Sequence, residues 1–87
     1  MIILTFPPQE PFEALGIVLG IGEAKASPGV FSKAPSPEVA LKRCMQMMQE
    51  EAARIGASMI CGASFSSEGN ESIGFVVRGF GTAVRLL

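Results

Sequence analysis

The stretch ALGIVLGIGEAKA, residues 14 to 26, limits the fold of this chain more than any other part of it. Leu15, Ile17, Leu19 and Ile21 alternate with Gly16, Val18, Gly20 and Gly22. Side chains in a strand point to opposite faces with period two. One face of this strand therefore carries large apolar groups, and the other is mostly glycine. A glycine face invites another backbone to come close, either a helix or a neighbouring subunit. A phosphate-binding loop is the other reading of such a stretch. Gly20-Ile21-Gly22 lacks the third glycine and the following helix that a dinucleotide site needs, so close packing is the expectation.

The other elements fall around this strand. Met1 to Phe6 is rich in β-formers and halts at Pro7-Pro8, which predicts a first strand at a sheet edge. Pro7 to Pro11 is a connector. Ser27 to Pro37 reads as a loop whose Val30 and Phe31 could meet a neighbour in an oligomer. A helix then begins, with Ser36 as N-cap, Pro37 in the first turn and Glu38 at the positive end of the dipole. Leu41, Met45, Met48, Ala52 and Ile55 form the expected apolar stripe, and Gly56 the stop. Glu50 and Arg54 are spaced as a pair on its wet side. Ser58 to Phe65 is a third strand, Ser66 to Ser72 a turn, and Ile73 to Leu87 a last strand with a bulge or bend expected at Gly79 and Gly81. The order is β-β-α-β-β. It predicts a single α+β domain, residues 1 to 87, with one main helix on an antiparallel sheet.

Composition adds a second constraint. Hydrophobic residues make up 48% and charged residues 17% of 87, more apolar material than one small core requires. Some of it should be covered by another copy of the chain. Seven Lys and Arg balance eight Glu, for a net charge of −1. Lys42-Arg43 is the only adjacent basic pair, so a nucleic-acid partner is not expected. Met1 to Phe6 has no basic flank of the kind a signal peptide carries. The longest apolar run, Ala14 to Gly22, is too short for a membrane span. A reducing cytoplasm with both thiols free is the expected setting.

Three segments, LGIVLG, EEAARIGASMICGASF and GTAVRLL, resemble in order the YbjQ family of small bacterial proteins. That family's pattern is an early LG-V-G, a helix ending E-A-LGA, a strand with a central V-G, and a terminal GTAV strand. The likeness covers about residues 14 to 26 and 38 to 87. This chain has a shorter middle segment, and it carries Ser64, Ser66 and Ser67 where acidic residues are often found. The resemblance implies one main helix on a curved antiparallel sheet and a ring-shaped homo-oligomer, with five subunits the commonest state. It implies no established activity. The family's heavy-metal-binding label comes with no residues that transfer here.

The residues themselves narrow the chemistry further. The chain has no histidine, which excludes His-based triads, dyads and zinc sites within it. None of the Glu residues sits in a recognisable acid–base pair; Glu50 and Glu51 point about 100° apart on a helix. An enzyme is therefore not expected. Cys44, Met47 and Met48 lie at i, i+3 and i+4, and such soft ligands would suit Cu(I) or Zn(II) if they converged with one another or with Cys61. The plainer account is that Met fills core gaps and free Cys acts as a small hydrophobe. Cys61 lacks a Lys or Arg neighbour in sequence that would lower its pKa. The expectation is packing, with Cys44, Met47, Met48 and Cys61 as the metal-binding alternative and no other cofactor. The sequence thus reads as a ring-forming binding or structural module with pockets between subunits. A soft-metal binder is its rival, and a small-molecule enzyme comes third.

Overall fold

A computed structural model describes residues 1–26 and 35–87. Among the described residues, four strands and one helix follow the expected order: β1 (Ile2–Ile3), β2 (Phe12–Lys25), α1 (Pro37–Arg54), β3 (Met59–Asn70) and β4 (Gly74–Leu86). The sheet order is β1-β3-β4-β2. The three long strands pair antiparallel, as expected, whereas the short β1 runs parallel to β3, so the sheet is mixed. β1 and β2 lie on opposite edges, and the prolines between them leave no hairpin to join the two. The expected Val30 and Phe31 contact lies outside the described residues.

Helix α1 begins and ends as its sequence dictates. Ser36 caps it, its hydroxyl accepting the Glu38 amide at 3.2 Å. At the other end Gly56 has φ 85°, a conformation glycine adopts without a Cβ clash. The amides of Gly56 and Ala57 donate to the carbonyls of Ala53 and Ala52, the paired closing bonds of a Schellman stop. The buried side of the helix is Ala40, Cys44, Met48 and Ala52. This is a correction to the stripe expected from size. Leu41 is only partly buried and Ile55 is 45% exposed. Met48 and Ala52 of the expected stripe are buried, but over the glycines of β2 the helix comes so close that the small Ala40 and Cys44 take the places expected of Leu41 and Met45. On the wet side Arg54 pairs with Glu51, while Glu50 accepts from Gln46.

The surface beneath the helix is the glycine face of β2. A Cβ added at Gly22 would sit 2.0 Å from the Ala40 carbonyl oxygen, and one at Gly20 would sit 2.4 Å from that of Cys44. The helix backbone rests directly on the strand there. Val18, Gly20, Gly22 and Ala24 are buried. With Val77, Ala83, Ile60 and Ala63 from the other strands they form the floor of the core.

The strand irregularities fall elsewhere than expected. Gly79 and Gly81 lie in regular register with β2. The breaks are between Ala14 and Gly16 in β2 and between Cys61 and Ser64 in β3. In β3 the extra residue is accommodated at Gly62, with φ 61°. Gly79 and Gly81 are glycines for space: a Cβ would come within 2.7 Å of the Phe65 ring at the first and of Ile60 at the second. β3 also runs on through Ser66–Asn70, paired with β4, where a turn was expected. Asn70 confines the turn to the next few residues by accepting the amides of Ser72 and Ile73 through Oδ1.

Candidate functional site

The sulfur residues do not converge as one group. Cys44 is fully buried, with its Sγ over Gly20 and Gly79 and beside Met48 on the inner face of the sheet. Burial raises the Cys44 thiol above its ordinary value of 9.0, and that disfavours the thiolate a metal would bind. Met47 points instead to the edge of the sheet, where its Sδ accepts the Ile21 amide at 3.4 Å. Cys61 is buried too. Its neighbour Ile60 belongs to the helix-side core, so alternation turns Cys61 to the opposite face. The sheet therefore stands between the two thiols. Among the described residues no three Cys or Glu side chains gather in a way that could hold a metal ion.

The outer face of the sheet carries the features that packing leaves unexplained. Ile17, Leu19 and Phe80 are 74%, 66% and 54% exposed. Leu19 and Phe80 are directly opposite each other, and Ile17 is the next residue on the same face. These are the large apolar residues of the alternating stretch. The helix chose the glycine side and left them outside.

Two rows of side chains cross the three long strands on this face. One is Leu19–Phe80–Ser64 and the other is Ile21–Arg78–Ser66. Between them runs the row Gly20–Gly79–Phe65, whose side chains, where present, point inward. The outcome is a trough of about 370 Å³ with a backbone floor, and Met47 closes its β2 end. Its β2 end is apolar and its β3 end offers two hydroxyls. Arg78 stands between the ends and reaches Glu68 at 3.5 Å, both side chains being more than half exposed. A pair this exposed contributes about 0–1 kcal/mol. None of this was read from the sequence. The signal was present in the alternation of ESIGFVVRGF, which sets Arg78 and Phe80 on one face.

β2 is also an edge strand. The helix covers half of that edge: Met47 takes the Ile21 amide, and Arg43 donates to the Glu23 carbonyl at 2.5 Å. By the same alternation the main-chain groups of Ile17 and Leu19 also point outward. Among the described residues nothing covers them.

No family model matches the sequence, and none of the curated proteins does. A solved structure does share the fold. It is a protein of unknown function from Pediococcus pentosaceus that belongs to the DUF74 family, similar at a TM-score of 0.78 and 17% identity over 100% of this chain and 98% of that one. Among the described residues no helix is long and apolar enough to cross a membrane.

Proposed function

We propose that this chain is a subunit of a ring-shaped homo-oligomer, most simply a pentamer of the YbjQ-like kind. In this reading it serves as a binding or structural module with pockets between subunits. The observation that carries it is the coincidence on one half of β2 of an uncovered edge and an uncovered apolar face, at Ile17 and Leu19. An uncovered apolar edge strand is a template for a further strand. At the other side of the sheet β1 covers only the start of β3, pairing at Met59 and Ile60. From Ser64 onward β3 has a second edge without a partner strand among the described residues. Contact between two different edges is head-to-tail, and head-to-tail contacts generate a ring when the rotation between subunits closes. The likeness in fold to the DUF74 protein fits this reading.

Light scattering on the gel-filtered protein tests it. The expected mass is several times 9.1 kDa, most simply five-fold. Leu19→Lys should shift the mass toward that of the single chain. A single-chain mass for the unaltered protein at micromolar concentration would overturn the reading. The module is expected to be cytoplasmic and without a catalytic centre of its own.

A further inference from the structure

We infer that the trough across β2, β4 and β3 binds a small amphipathic anion: a flat or chain-like apolar body bearing one carboxylate. The inference deepens the module reading above, and it borrows from it only the neighbouring subunit as a roof over an open site.

Three observations converge. The first is size, since about 370 Å³ falls in the range of small-molecule sites, roughly 300–1,000 Å³. The second is order within the trough. Leu19, Ile21 and Met47 make the β2 end apolar, and Ser64 and Ser66 supply hydroxyls at the β3 end. Strands lie about 4.8 Å apart, so the apolar and polar ends are separated by roughly 10 Å. That is the span of a fused-ring body lying across the three strands with a lateral carboxylate at Arg78 on the middle one. The third is charge: among the described residues, Arg78 is the only charged one lining the trough. Its guanidinium is matched by Glu68 at 3.5 Å, without a hydrogen bond among those of the described residues. A planar carboxylate that formed two parallel bonds to Arg78 would be the better partner. A neutral apolar ligand would leave Arg78 in the middle of the trough unused, and a polyanion would have no use for the β2 end.

The test uses the whole chain in its native assembly, with 1-naphthoate as probe and 1-naphthamide as its uncharged counterpart. Binding is followed by amide chemical shifts, and the mass is measured by light scattering in the same samples. Expected are saturable shifts centred on Gly20, Gly79 and Phe65, with the acid bound at least ten-fold tighter than the amide. Arg78→Gln should abolish that preference. Glu68→Gln should tighten the acid several-fold, because it removes the competing carboxylate; a general loss of fold cannot produce that change. Equal affinity for acid and amide, shifts centred elsewhere, or no saturable binding would overturn the inference. An assembly of the expected mass that fails to bind rejects the ligand site alone. A single chain that binds with the acid preference rejects the ring and keeps the site.

Discussion

The two faces of β2 are made of the same strand and have opposite fates. The inner face holds Val18, Gly20, Gly22 and Ala24 and is sealed under α1, while the outer face holds Ile17, Leu19 and Ile21 and stays open. The larger residues are therefore the exposed ones. Core formation here follows distance of approach rather than side-chain size: a helix backbone lying on glycines brings Cys44, Met48 and Ala52 into close contact with the whole sheet. The gain is dense packing. The cost is that the bulky aliphatics of the same strand are left for something else to cover.

The largest effect should come from filling the inner face. Gly22→Val would place atoms on the Ala40 carbonyl, and overpacking against backbone should cost on the order of 3 kcal/mol or more. Urea denaturation would show the variant largely unfolded. Near-native stability would mean that the helix does not rest on the strand. Two adjacent methionines offer a sharper test. Met48 is fully buried and Met47 is 43% exposed, so Met48→Ala should lose about 2–5 kcal/mol and Met47→Ala less than 1. Equal losses would place the helix on the wrong rotation. On the outer face, Leu19→Lys should change the stability of the isolated chain by no more than about 0.5 kcal/mol. A thermal melt of the disassembled protein checks this, and a collapse would show that Leu19 is part of the core after all.

The smallest effect is the pH dependence carried by Cys44. Burial raises its thiol pKa in the folded chain above the ordinary 9.0. The unfolded chain therefore loses this proton first as pH rises. The Cys44 contribution to stability is fully present below about pH 9 and declines above it, through the folded-state value. A urea midpoint that falls between pH 8 and 10.5 in the parent and falls less in Cys44→Ala would show it. Parallel slopes would place the thiol in contact with water.

The sequence carried the elements well. Ser36, Pro37 and Gly56 mark the helix termini by local hydrogen bonding and backbone geometry, which tertiary contacts had no need to override. The glycines of β2 likewise announced a close approach. Three features were not legible. The helix stripe was right at Met48 and Ala52 and one residue off in its first half, because Leu41 and Met45 outrank Ala40 and Cys44 in size and only the glycine floor reverses the order. The parallel β1 depends on a crossing between opposite edges, which no local pattern encodes. The trough needs residues from three strands, and its rows exist only once the register across the β3 bulge is known.

That bulge makes one position in β3 dispensable. Deleting a residue from a strand normally exchanges its two faces from that point on. Gly62 is the residue the ladder does not count: Cys61 stands opposite Thr82 and Ser64 opposite Phe80, three steps against two. A chain lacking Gly62 would keep Ala63 and Phe65 turned to the helix and Ser64 turned out. A chain lacking Ile60 would turn them over, and one lacking Ser66 would exchange the faces of Ser67 and the residues after it. If lengths drift among descendants of this sequence, β3 can shorten at this one place without disturbing either side of the sheet.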